Sequence, residues 1–100
     1  MTTIEILRAA KASIADPEHW CQFLYVDDRH GRMCAMGALY AARQEASDRR
    51  YRSINLLRNA AYEIYQRDIV AVNDLFGHAA VMRVYDRAID RAIELAEAAP

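Results

Sequence analysis

Hydrophobic positions recur along most of this chain every three to four residues, the period of an amphipathic helix. Near the N-terminus Ile4, Leu7, Lys11 and Ile14 fall at helical spacing, with Ala10 and Ala15 beside the stripe. Thr2 and Glu5 precede it as a capping box, in which the hydroxyl accepts an amide and the carboxylate reaches back. This helix is expected to end near Asp16-Pro17, because the residue before proline avoids the α region. The same pair also fits the start of a short helical turn, with Asp16 as N-cap and Pro17 at the first position.

The period breaks at residues 20–26, WCQFLYV, which are aromatic and β-branched, and Asp27-Asp28-Arg29-His30-Gly31 then supplies turn chemistry. A small β-hairpin is predicted, 21–26 against about 31–34. Such a pair is marginal alone and must pack on the helices. From Cys34 or Ala35 to about Ala46 the helical period returns, with Met36, Leu39, Tyr40 and Arg43 aligned. Ser47-Asp48 can cap a third helix over 48–66. Its inner stripe is Ile54, Leu57, Ala61 and Ile64, widened by Tyr51, Tyr62 and Tyr65.

Residues 68–76, DIVAVNDLF, fit a strand or a helix by periodicity alone; a short helix ending at Gly77 is preferred. The last helix, about 78–98, is the clearest, with Val81, Val84, Tyr85, Ala88, Ala92 and Leu95 or Ala96 on one face. Its other face repeats DRAI at 86–93. Acids interleave there with arginines at i,i+3, which reads as a solvated ion-pair surface rather than a phosphate ladder. The expected fold is mainly α, with four to five helices around one core and a small hairpin at about 21–34. No linker-like stretch divides it, so residues 1–100 are read as one domain. The predicted core holds Leu7, Ile14, Trp20, Leu24, Met36, Leu39, Leu57, Ile64, Val72, Phe76, Val81, Tyr85 and Leu95.

Composition and charge change this picture. The apolar fraction of 54% excludes a disordered chain, but nineteen of those residues are alanine, which favours helix and close helix approach over bulk. The net charge of −1 argues against nonspecific attraction to nucleic acid or membrane. No apolar run approaches the roughly 18 residues of a membrane span, and no leader-like region follows the N-terminal residues, so a cytoplasmic protein with reduced thiols is expected. Twelve of the thirteen basic residues are arginine, whose planar fork suits ion pairs and interfaces.

Few residues are candidates for chemistry. Cys34, at a helix start, is placed where the macrodipole and unpaired amides favour thiolate. A nucleophilic cysteine needs a base, and His78 with Asp74 one helical turn before it supplies a conceivable Cys34–His78–Asp74 constellation. Against it, free cysteine is among the most buried residue types, and Cys34-Ala35-x-Gly37-Ala38 is small enough to let two helices cross tightly. The two cysteines and three histidines lack metal-ligand spacing, so no metal is expected, and no motif implies a cofactor. Trp20 reads first as a core anchor and second as a stacking platform for a ligand. Asn73 and Asp74 read first as caps of the last helix and second as ligand contacts. Arg49, Arg50, Tyr51 and Arg52, with Arg43 and Arg58 nearby, form the best nucleic-acid patch, although Glu45 and Asp48 lie in the same stretch.

Trp20-Cys21, then Asp28-x-x-Gly31-x-x-Cys34-Ala35-x-Gly37-Ala38-Leu39, then Val72-Asn73-Asp74 resembles a family of small uncharacterised proteins of actinobacteria, proteobacteria and phages. The resemblance runs from the first helix to about Leu95 and is most specific over 20–39. It implies a compact bacterial or phage accessory protein, places the family's sites on Trp20, Cys34, Asn73 and Asp74, and transfers no catalytic role. The expected function is therefore a noncatalytic binding or regulatory module, self-associating through an Ala-rich helix face or bound to a partner protein. A thiol enzyme using Cys34 and a nucleic-acid accessory using the Arg49–Arg52 patch stand as alternatives.

Overall fold

The computed structural model describes residues 2–44 and 52–98. They form five α-helices: α1 (Thr3–Ser13), α2 (Ala35–Gln44), α3 (Arg52–Tyr65), α4 (Ile69–Phe76) and α5 (His78–Ala98). Between α1 and α2 lies a two-stranded antiparallel hairpin of β1 (Val26–Asp27) and β2 (Arg32–Met33). The architecture is the mainly α one that the hydrophobic period predicts. The expected cap of α3 at Ser47-Asp48 lies outside the described residues.

α1 opens on the capping box: the Glu5 amide donates to Thr2 Oγ1 and the Thr2 amide donates to Glu5 Oε1, each at 3.2 Å. The helix stops at Ser13, earlier than Asp16-Pro17 suggests. The reason is that Asp16 is used as a cap. It adopts an extended backbone and its carboxylate accepts from the Glu18 amide at 2.9 Å, starting a 3-10 turn over Pro17–His19. An extended Asp16 cannot also continue α1.

The hairpin is shorter than the expected pairing of 21–26 with 31–34, its register being Val26↔Met33 and Asp27↔Arg32 only. Met33 is contacted on both edges by the same loop. On one side Trp20 makes a parallel bridge to it and the Cys21 amide donates to its carbonyl at 3.1 Å. On the other, β1 pairs with it, and the next amide, that of Cys34, donates to the Tyr25 carbonyl at 3.1 Å. Residues 22–25 must therefore arch from one edge of β2 to the other, and cannot form a straight strand.

α5 is the central helix, with α1, α3 and α4 packed on it, and α1 also lies against α2. Its buried face is Ala80, Val81, Val84, Tyr85, Ala88, Ile89 and Ala92. The alanines on this face let the neighbouring helices approach closely. Residues 69–76 are helical, and Gly77 ends them at φ 91°, a left-handed conformation that glycine adopts without strain. α5 begins at the next residue.

Eight of the predicted core residues are fully enclosed: Leu7, Ile14, Met36, Leu39, Leu57, Val72, Val81 and Tyr85. Trp20 and Ile64 are half-buried against them. Leu24, Phe76 and Leu95 are exposed, contrary to expectation. Leu24 rides on the arch over β2. Phe76 ends α4 and stacks on Tyr65 at the rim, with ring centroids 5.2 Å apart. Leu95 lies past Ala92, the last buried residue of α5. Ile6, Ile69 and Val84, all fully buried, complete the core.

One arginine of the DRAI repeat does more than the expected pairing along one helix. Arg87 reaches Glu63 on α3 at 3.0 and 3.1 Å, and also Glu94, so it ties α5 to α3. Among the described residues no helix is long and apolar enough to cross a membrane.

Candidate functional site

The loop after α1, the start of α2 and the end of α4 converge on one side chain. Asn73, in the last turn of α4, is completely buried. Its Oδ1 accepts from the Trp20 indole N–H at 2.7 Å and from the Ala35 amide at 2.9 Å. Its Nδ2 donates to the Cys21 carbonyl at 3.1 Å and to Asp74 Oδ1 at 3.0 Å. A carboxamide has two acceptor sites and two donor hydrogens, and all four are occupied.

The position of that carboxamide explains why the local sheet ends where it does. The Trp20–Met33 bridge and the bond from the Cys21 amide to Met33 begin a parallel ladder. Its next rung would run from the Ala35 amide to the Cys21 carbonyl. Asn73 stands between those two groups and bonds to both, replacing the rung with a side-chain amide. It thus caps α2 from a different helix, rather than capping α5 as its place in the sequence suggests.

Asp74 and Gln22 hold the arch in place. Asp74 Oδ1 accepts from the Phe23 amide at 2.9 Å, and Gln22 Nε2 donates to the carbonyls of Asn73 and Asp74 at 3.2 Å each. Those carbonyls lie in the last turn of α4, where intrahelical donors run out. Gln22 carries no signal in the sequence beyond being a polar residue in an aromatic run. Gly37, expected to serve a helix crossing, instead faces the Tyr25 backbone, leaving no room for a Cβ.

Cys34 is the N-cap of α2. Its Sγ accepts from the Gly37 amide at 3.3 Å and its carbonyl accepts from the Ala38 amide at 3.0 Å, the role usually taken by serine or aspartate. It is only 4% exposed, yet it lines a cleft of about 250 Å³ formed with Phe23, Leu24, Tyr25, Val70 and Asp74. Burial pushes its thiol up, outweighing the amides of Gly37 and Met36, and the Asp74 charge adds to the rise. The thiolate expected at a helix start is therefore disfavoured. Burial and the neighbouring Cys34 raise Cys21 likewise. Burial also raises Tyr85, whose hydroxyl donates to the Ala35 carbonyl at 2.6 Å.

For each of these acids the fold favours the neutral form, so its contribution is fully present below the unfolded-state pKa and disappears as pH rises. Stability measured by urea unfolding is expected to hold steady through neutral pH and fall above about pH 8.5, where unfolded cysteine ionises. Cys34→Ser should shallow that fall. A stability unchanged up to the tyrosine range would contradict the enclosure of these groups.

The structure brings Trp20, Cys34, Asn73 and Asp74 together and leaves His78 with another partner. His78 Nε2 donates to the Ile14 carbonyl at 2.7 Å, and its ring meets the edge of Trp20 with centroids 5.4 Å apart. Among the described residues no hydrogen bond links His78 to Cys34 or Asp74, and no three His, Cys, Asp or Glu side chains gather to hold a metal. Of the arginine patch, Arg49, Arg50 and Tyr51 lie outside the described residues; Arg52 is exposed at the first residue of α3, and Arg58 lies 3.8 Å from Asp68.

Fold and site together define a small helical domain organised around a buried polar cluster that joins one loop to two helix ends. Residues 1–91 match the model of a family of unknown function, DUF6197, and the chain belongs to that family. The match includes every residue of the cluster. None of the curated proteins and none of the solved structures compared with the chain matches it.

Proposed function

We propose that this protein is a noncatalytic binding module that self-associates through the arch of residues 23–26. The observation that carries this reading is Phe23. It is 75% exposed and sits at φ 69°, a left-handed conformation that costs a bulky residue on the order of 1 kcal/mol. Its amide is held there by Asp74. Leu24, Tyr25 and Val26 continue the exposed apolar run, and Tyr40 packs edge-on against Tyr25 with centroids 6.1 Å apart. Rigid aromatic groups on an anchored loop lose little entropy on binding, which suits a contact surface.

Three of the polar side chains beside the arch bind one another. Asp27 accepts from Arg32 at 2.8 and 3.2 Å and lies 3.0 Å from His30 Nδ1, and the Arg32 guanidinium holds its carboxyl below the usual range. An apolar patch suits a partner of the same character, and a second copy related by a two-fold axis meets that requirement. The alanines of α5 are less suited, because Ala80, Ala88 and Ala92 are already enclosed in the core.

Sedimentation over micromolar to millimolar protein is the test. A concentration-dependent dimer is expected, abolished by Phe23→Asn together with Tyr25→Ser; asparagine tolerates the left-handed backbone at position 23. The unfolding midpoint of that variant should stay near the parent's. A parent that remains monomeric throughout, or a variant that dimerises as well as the parent, would overturn the proposal.

A further inference from the structure

We infer that Cys21 and Cys34 form an oxidative modification site, a dithiol that closes to an intramolecular disulfide within the folded protein. The backbone register is the first observation. Trp20 and Met33 are partners in a parallel bridge, so Cys21 and Cys34 are the next residues in step on the two strands. Parallel neighbours lie about 4.8 Å apart and their side chains leave the same face. The Asn73 carboxamide takes the place of the next rung just beyond this pair, and disulfides span Cα separations of about 4.4–6.8 Å.

Side-chain placement is the second, independent observation. Cys21 Sγ donates to the Leu24 carbonyl at 3.5 Å, and Cys34 lines the cleft that Leu24 and Tyr25 wall. Both cysteines therefore lie against the same arch. Each cysteine is a free thiol, 9% exposed at Cys21 and 4% at Cys34. Neither is close to a third cysteine, since the chain has two.

The oxidant is a low-molecular-weight disulfide such as oxidised glutathione. The thiolate of Cys34, the cysteine that lines the open cleft, attacks one sulfur of the oxidant and expels the first small thiolate. The Cys21 thiolate then attacks Cys34 Sγ in the mixed disulfide and expels the second. Two protein S–H bonds are lost and one S–S bond forms. The two electrons reduce the oxidant, and the two protons leave as those of two small thiols. The product closes residues 22–33 into a covalent ring and fastens the arch to the start of α2. Because both thiols are held neutral, the reaction should accelerate as pH rises above neutrality.

The test is incubation of the dilute native protein with oxidised glutathione, followed by intact mass and peptide mapping, and it does not depend on self-association. The expected product is lighter by two hydrogen atoms, carries no glutathione and yields one peptide pair crosslinked through Cys21 and Cys34. Its thermal midpoint should exceed that of the reduced protein, and Cys21→Ser should stop at a glutathione adduct on Cys34. A lasting adduct on the parent, a disulfide-linked dimer, or two thiols still unreacted when the denatured chain has fully oxidised would each overturn the assignment.

Discussion

Asn73→Leu is expected to destabilise the fold by about 4 kcal/mol, because it strands three buried groups at about 1–3 kcal/mol each. Leucine keeps the branch at Cγ and is larger than asparagine, so none of that cost comes from a cavity. The Trp20 indole N–H, the Ala35 amide and the Cys21 carbonyl would each lose the partner they have in Asn73. A domain of this size has only about 5–15 kcal/mol of stability, so this single change would remove a large share. The thermal midpoint should fall by roughly 15–30 °C at about 4–8 °C per kcal/mol.

Asn73→Asp separates the contributions. It keeps an acceptor for Trp20 and Ala35, loses the donor to Cys21, and buries a carboxylate against Asp74. Its stability should lie below the parent's at neutral pH and recover partly in acid, where that carboxylate is protonated. Calorimetry of the three proteins checks both expectations. A loss below about 1 kcal/mol for Asn73→Leu would mean that the cluster is not a shared tie between loop and helices.

Gly37→Ala should destabilise by about 2 kcal/mol, within the range for forcing atoms into a packed site. This reverses the usual sign, since glycine inside a helix normally costs about 0.5–1 kcal/mol relative to alanine. The added Cβ would overlap the Tyr25 carbonyl oxygen and stand 2.8 Å from its carbonyl carbon and 3.3 Å from its Cα. All three are backbone atoms, so no rotamer change relieves the clash. The arch can move away only by giving up the bond from the Cys34 amide to Tyr25, and with it the seat of Phe23 on Asp74. Urea unfolding measures the loss, and faster reaction of Cys34 with a thiol reagent should accompany it. A stabilised Gly37→Ala would show that the arch is not seated on α2.

Both effects arise from residues whose type was visible in the sequence while their partners were not. Cys34 raised a choice between chemistry and packing, and the structure makes it an N-cap whose sulfur accepts an amide. The pattern of small residues around it implied close approach. What approaches is the backbone at Tyr25 rather than another helix. Asn73-Asp74 was legible as capping chemistry, but an asparagine amide can serve any backbone it reaches, and nothing local says that it serves α2 across 38 residues. Leu24 looked like core because its neighbours are apolar; the arch that lifts it exists only because residues 20–21 and 25–26 bind opposite edges of β2.

Local interactions that span a turn or less were within reach of the sequence: the capping box of α1, the stop at Gly77, and the helical period of α5 with its enclosed face. These depend on contacts three or four residues apart, and spacing encodes them directly. Tertiary structure alone decided which helix Asn73 caps, that His78 turns to Ile14 instead of Cys34, and that the aromatic run faces outward. Those outcomes depend on the competition among distant groups for a few buried hydrogen-bond partners, a competition that only the assembled chain can resolve.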